Sequence, residues 1–281
     1  MTSIDGKVVF ITGSTSGLGR KLAERLVSEG AGVVLHGRSS ERCESTVQEI
    51  QEATGSDRLP YHVANLASLA EVRRLADAVR EQHDRLDVLV NNAGVGGGPA
   101  QDGTRELSED GYELRFAVNH LAHYLLTHRL LPLLRASAPA RVVNVASGAQ
   151  EAIDFDDVHL ERDYSSSRAY TQSKLAQVMF TFGLAETLDA GEVTVNSLHP
   201  ASLMDTKMAQ RWYGSAMSSV EEGVAATHRL ITDPKLAGVT GRYFSGQQEA
   251  RAAKQAYDAE ARRRLHDLSE ELTTQHAGST E

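Results

Sequence analysis

Residues 8–19 read Val8-Val9-Phe10-Ile11-Thr12-Gly13-Ser14-Thr15-Ser16-Gly17-Leu18-Gly19, and residues 32–38 read Gly32-Val33-Val34-Leu35-His36-Gly37-Arg38. A short run of β-branched and apolar residues breaks at a glycine turn and passes into a segment of helical period, which stops near Gly30 before a second apolar run. Strand, glycine turn, helix and strand in that order make a βαβ unit of a parallel sheet. Such a turn aims free backbone N–H groups and the positive end of a helix at one point, where a pyrophosphate can sit. An ordinary Gly-rich connection reads the same way when it stands alone.

The alternation continues outward from this unit. Apolar runs at 61–63, 88–91 and 141–146 join 8–12 and 32–36 as predicted strands. Segments 17–29, 40–54, 68–83 and 109–134 carry helical period, with Ser40 and Ser68 as N-caps and Gly30 and Gly55 as stops. The second half adds a helix at 165–188, a strand at 193–198, an irregular stretch at 202–219, a helix at 220–231 and a short strand at 242–244. A polar, solvated helical tail over about 248–281 completes the chain. Right-handed crossovers place helices on both faces. The expected fold is therefore α/β, a single domain over 1–281 built on a doubly wound parallel sheet of about seven strands.

Composition narrows the function classes. The 281 residues carry a formal net charge of -9 and a single cysteine, Cys43. An acidic chain without a basic stripe repels a phosphate backbone, so nucleic acid is not an expected partner. One cysteine allows no intrachain disulfide. The first apolar run begins at Val8, and no stretch reaches the roughly 18 apolar residues of a membrane span. A cytoplasmic protein without a membrane partner is expected. His120, His123 and His128 share one helix, but spacings of three and five do not put them on one face, so a structural role is preferred to a metal site.

Four motifs occur in order over residues from about 7 to 206: Thr12-Gly13 with Gly17 and Gly19, Asn91-Asn92-Ala93-Gly94, Ser147, and Tyr170-Thr171-Gln172-Ser173-Lys174. Together they resemble the motif set of the short-chain dehydrogenase/reductase family. Val118-Asn119-His120-Leu121, the acidic stretch 154–157 and Arg242-Tyr243-Phe244 resemble its retinol-dehydrogenase-like branch. The resemblance implies a Rossmann-type sheet and a nicotinamide cofactor. It places the cofactor on Gly13, Ser14, Ser16, Gly17, Leu18, Gly19, Asn65, Leu66, Asn92, Ala93, Gly94, Tyr170, Lys174, Pro200, Leu203 and Thr206. Two positions depart from the family pattern: Asn65 stands where an Asp usually meets adenine, and Ala201 follows Pro200 where a Gly is usual.

Arg38 decides between the two nicotinamide cofactors. An NAD site places a carboxylate at the end of the second strand. Here Arg38 follows that strand and no carboxylate comes before Glu41. A guanidinium can grip a 2′-phosphate bidentately and stack on adenine, which favours NADP(H) over NAD(H). Arg42 is a candidate helper, and the plain alternative is that Arg38 caps the solvent edge of the sheet.

Tyr170 and Lys174 stand four apart in a helical segment and so project from one face. A phenol titrates near 10, and drawing it towards neutrality takes roughly 4 kcal/mol of selective phenolate stabilisation, which a neighbouring ammonium can help supply. Ser147, just past the fifth strand, lies at the sheet edge where ligands bind in doubly wound folds. Taken singly, a Tyr–Lys pair reads as surface packing, a Ser after a strand as a cap and Asn119 as satisfying a helix defect. In family order behind the glycine loop, the resemblance implies the catalytic set Asn119, Ser147, Tyr170 and Lys174. The resemblance gives Asn119 a relay water and Lys174 the nicotinamide ribose.

Leu203, Met204, Met208, Trp212, Tyr213 and Met217 suggest a lid over about 202–219 for a small lipophilic carbonyl or alcohol substrate, with simple packing as the alternative. The acidic stretch 154–161 reads as a pocket rim or a solvated loop. Two other functions stay open: a C=C reductase using the same Tyr–Lys pair, and a non-catalytic NADP(H)-binding sensor or interaction protein. The resemblance also implies a homodimer or homotetramer formed through the helices carrying Asn119 and Tyr170.

Overall fold

The computed structural model describes residues 4–97, 104–205 and 217–275. Its strands are β1 (Val8–Ile11), β2 (Gly32–Gly37), β3 (Tyr61–Val63), β4 (Val88–Asn91), β5 (Ala140–Val145), β6 (Val193–His199), β7 (Arg242–Ser245) and β8 (Gln248–Glu249). They form one sheet in the order β3-β2-β1-β4-β5-β6-β7-β8. The first seven pair in parallel, and β8 folds back antiparallel on β7. The eighth strand is the difference from the sequence expectation; its two residues, Gln248 and Glu249, are too short and polar to show a strand pattern.

The helices are α1 (Gly17–Ser28), α2 (Ser40–Thr54), α3 (Leu69–Gln82), α4, α5 (Ser166–Glu186), α6 (Val220–Thr232) and α7 (Ala259–Thr274). Helix α4 begins as Leu114–Phe116, passes through a π turn at Ala117–Leu121, and runs on as Ala122–Ala136. One core packs α3, α4, α5 and α7 on one side of the sheet through Leu75, Leu126, Leu130, Val178 and Leu265. The other packs α1, α2 and α6 on the opposite side through Leu22, Leu26, Ile50 and Leu230. No helix among the described residues is long and apolar enough to cross a membrane.

Helix starts follow side-chain chemistry more closely than sequence spacing. The N-cap of α2 is Ser39, whose hydroxyl accepts from the Arg42 N–H, and Ser40 is already helical. Ser68 holds the N-cap position of α3 without capping it. Asp110 Oδ2, 41 residues on, accepts from Leu69 N at 2.9 Å instead. That use of Asp110, together with Gly111 at φ +83°, holds residues 108–112 in a turn, so α4 starts at Leu114 rather than near 109.

The strand order reverses its direction of growth at β1, with β2 on one side and β4 on the other. Gly13 follows β1 and Asn92–Gly94 follow β4, so both motifs meet at the crevice where doubly wound sheets bind ligands.

Candidate active site

Thr12 joins the two loops at this crevice. Its hydroxyl accepts from Asn92 N at 2.9 Å and Ala93 N at 3.0 Å, while Asn92 Nδ2 donates back to the carbonyls of Thr12 and Gly13 at 2.8 and 3.1 Å. Gly13 sits at φ +65°, and a Cβ there would lie 2.8 Å from Ala93 Cα. At Gly19 a Cβ would lie 2.5 Å from the carbonyl oxygen of Gly13. Backbone cannot move aside as a flexible side chain can, so Gly19→Ala is expected to push the turn off α1 and lower nicotinamide-nucleotide affinity at least tenfold, about 1.4 kcal/mol. Titration of cofactor fluorescence reads this directly.

Two histidines hold the loop from below, and both must be neutral to do so. His36 Nδ1 accepts from Gly13 N at 3.1 Å, so its Nε2 carries the hydrogen that faces the Ala64 carbonyl at 3.1 Å. Burial pulls its pKa to about 4. His123 Nδ1 lies 3.1 Å from the Asn119 carbonyl, which can only accept, so Nε2 is left to accept from the Thr12 hydroxyl at 3.1 Å. Burial pulls His123 to about 3.

The first turn of α1 fits a phosphate. Ser16 gives no side-chain cap and the turn holds no acidic residue, so among the described residues the leading N–H groups meet no acceptor. Arg38 and Arg42 stand exposed at the end of β2 and in the first turn of α2, and neither pairs with a carboxylate among the described residues. Asn65 is more committed: its Nδ2 donates to Glu109 at 2.8 Å and its Oδ1 accepts from Ala67 N at 3.1 Å. Leu66 is buried in the core.

Asn119 lies in the π turn, a feature that often marks functional sites. Its side chain clamps Val95, accepting from the amide at 2.8 Å and donating to the carbonyl at 2.9 Å, and it also donates to Ser173 Oγ at 2.9 Å. A Cβ on Gly94 would lie 3.2 Å from Asn119 Oδ1 and 3.6 Å from Lys174 Nζ, so this glycine lets the two approach. Lys174 is buried, with its ammonium 5.8 Å from the centroid of the Tyr170 ring. It donates to Val145 O at 3.0 Å and Gln177 Oε1 at 2.7 Å, and burial alone draws its pKa down to about 7.

Ser147 follows β5; its Oγ accepts from Ala149 N at 3.1 Å and its carbonyl accepts from the Tyr243 hydroxyl at 3.0 Å. Tyr243 lies close enough to Tyr170 for a Tyr170 phenolate to oppose its own ionisation, although burial is the larger reason that its pKa rises to about 12. Gly97 packs against Tyr170, with a Cβ there 3.4 Å from Tyr170 Cβ. The glycine loop, Asn92–Gly94, Asn119, Lys174 and Tyr170 thus form one cluster, to which Tyr243 ties Ser147.

Several contributors escaped the sequence reading. Gln177 was within reach, since it stands three residues after Lys174 on the same helix face. Arg115 is buried and donates to Gly96 O at 3.0 Å and the Tyr164 hydroxyl at 2.8 Å, fastening the loop after β4 to the segment before α5. That pairing spans 49 residues and has no local signature. The acidic stretch also does more than meet solvent: Asp157 caps Glu161 N at 2.8 Å and Arg162 N at 3.1 Å, and Asp154 receives Arg168 at 3.5 Å.

The lid region divides. Leu203 takes φ +43°, and Met204 packs with Leu18 and Pro200 around Gly223, whereas Met217 is exposed. Thr206, Met208, Trp212 and Tyr213 lie outside the described residues. An open hollow of about 630 Å³ at the ends of β6 and β7 is lined by His199, Pro200, Ser202, Ser219 and Glu222. It adjoins the cluster without including Ser147, Tyr170 or Lys174.

Known proteins resemble this chain over nearly its whole length. The family described as short chain dehydrogenase matches residues 7–215. Retinol dehydrogenase 13 of Homo sapiens is 38% identical over 99% of this chain and 87% of its own length. Polyprenol dehydrogenase of Mus musculus is 36% identical over 98% of this chain and 86% of its own. Among solved structures, a Pseudomonas aeruginosa RhlG complex with NADP is 28% identical, covers 87% of this chain and 97% of that one, and superposes with a TM-score of 0.70. A 3-ketoacyl-(acyl-carrier-protein) reductase from Brucella melitensis, complexed with NADH, is 25% identical over 86% of this chain and 97% of that one, also with a TM-score of 0.70. With its sheet, its glycine turn and its near full-length relatives in agreement, the chain belongs to the short-chain dehydrogenase family of nicotinamide-dependent oxidoreductases.

Proposed function

We propose that this chain is an NADP(H)-dependent oxidoreductase acting on a carbonyl or secondary alcohol of a small lipophilic substrate, with Tyr170 as the general acid and base. The observation that carries the reading is the buried Lys174 ammonium beneath the Tyr170 ring, with no carboxylate bonded to it among the described residues. In its protonated form a lysine so placed favours a phenolate over a phenol, and no carboxylate among the described residues offsets that charge.

The N–H groups at the start of α1 and the loops at Gly13–Gly19 and Asn92–Gly94 would hold the dinucleotide, and Lys174 its nicotinamide ribose. When bound, the nicotinamide supplies or accepts the hydride. Tyr170 donates its phenolic proton to the substrate oxygen during reduction and takes it back during oxidation. Ser147 orients that oxygen by hydrogen bonding, and Asn119, fixed on Val95, anchors a water that returns the proton through Lys174.

NADP(H) is favoured by Arg38, whose charge has no partner among the described residues and stands where an NAD site needs a carboxylate. A charge-assisted bidentate contact contributes about 1.5–3 kcal/mol, so Arg38→Ala is expected to raise KM for NADPH by roughly 10- to 100-fold. KM for NADH should stay unchanged, and steady-state kinetics with both cofactors checks this. A lipophilic substrate is supported by the relatives, which are named for retinol and polyprenol. Both are apolar isoprenoid alcohols, and because both are primary the substrate class includes primary alcohols and their aldehydes. Assays with such alcohols and their carbonyl forms test it.

A further inference from the structure

Helix α5 lacks the solvent face that an outer helix of a doubly wound sheet normally shows. From Gln172 to Ala185 every residue except Gly183 is buried within the single chain. The cover on its outer side is α7. A stripe of Leu265, Ser269, Leu272 and Thr273, at helical spacing, is buried against the core, while the opposite side of α7 carries Arg263, Asp267 and Glu271 into solvent.

Polar contacts set the register of α7 on its neighbours. Ser269 Oγ donates to Leu265 O at 2.7 Å and so accepts from His120 Nε2 at 2.7 Å, on the π turn beside Asn119. The Tyr124 hydroxyl donates to Glu270 at 3.0 Å, Tyr112 donates to Leu272 O at 3.0 Å, and Arg73 donates to Thr273 O. At the other end Arg264 bonds Asp156 at 2.8 Å and lies 4.9 Å from the Phe155 ring centroid, joining α7 to the acidic stretch. The tail is thus tied to α3, α4, α5 and the segment before α5.

We propose that α7 is an intramolecular partner for the α4/α5 face, closing within one chain the surface that the family resemblance assigns to pairing between copies. A stable interface needs about 800 Å² of complementary surface from each partner. The large exposed apolar side chains among the described residues are Val63, Leu107, Met217 and Tyr257, and none of them lies on α4 or α5. The chain is therefore a monomer with respect to this face.

Sedimentation equilibrium of the full chain over a wide concentration range tests this, with a mass near 30.5 kDa expected throughout. Leu265→Asp with Leu272→Asp should release α7, speed amide exchange in α5 and turn the monomer into a self-associating species. Gly183→Lys serves as a second variant, because nothing lies within 4 Å of a Cβ at that position and the fold should tolerate it. A wild-type dimer that Gly183→Lys dissociates would overturn the proposal. A dimer that Gly183→Lys leaves intact would likewise contradict the expected monomer mass. Loss of α7 protection in wild type would also overturn it.

Discussion

Replacing Tyr170 by phenylalanine is expected to slow carbonyl reduction by about 1,000-fold while leaving NADPH binding intact, since positioned proton transfer contributes roughly 10²–10⁴-fold to turnover. The change removes one oxygen and keeps the ring that packs on Gly97 and lies over Lys174, so those contacts are retained. Because the lost interaction belongs to the transition state, kcat and kcat/KM should fall together with little change in KM. A variant whose turnover stays within tenfold of wild type would remove Tyr170 from the mechanism.

Lowering the pH from 7 to 5 is expected to cost the fold about 6 kcal/mol through three histidines alone, close to the whole stability of many domains. Burial holds His36 at about 4 and His120 and His123 at about 3, each below the ordinary value near 6.5. A group whose pKa is depressed by folding binds its proton in the unfolded chain first, so folding loses free energy as pH falls below 6.5. The loss continues until the folded values near 3–4 are reached and vanishes above 6.5. At pH 5 each ring contributes about 2 kcal/mol of it. Urea unfolding midpoints measured between pH 8 and 5 should therefore fall steeply below 6.5. A flat profile would mean that the rings are protonated or solvated in the native state.

These histidines also show how far the sequence alone could be read. His120 and His123 were recognisable as structural from their spacing, but not as struts, because their partners Thr12 and Ser269 lie 111 and 149 residues away. The glycine turn and the strands around it were legible because each rests on local geometry, turn and period, whereas the Tyr170–Lys174 pair, on its spacing alone ordinary helix-surface packing, stood out only through the motif order that resembles the family. The start of α4 was not, since Asp110 is used to cap α3 instead of extending its own helix. The tail reads as solvated because its charged residues outnumber its leucines. Leu265, Leu268 and Leu272 nevertheless recur at intervals of three and four, the period of a docking face. The π turn left no trace in the sequence.

The most direct test of the central reading is NADPH oxidation by the purified wild-type chain with a panel of lipophilic aldehydes and ketones, with product analysis. The expected result is alcohol formed in step with NADPH consumed, and markedly weaker use of NADH. Tight NADPH binding without turnover across the panel, or a product reduced at carbon–carbon rather than carbon–oxygen, would contradict it.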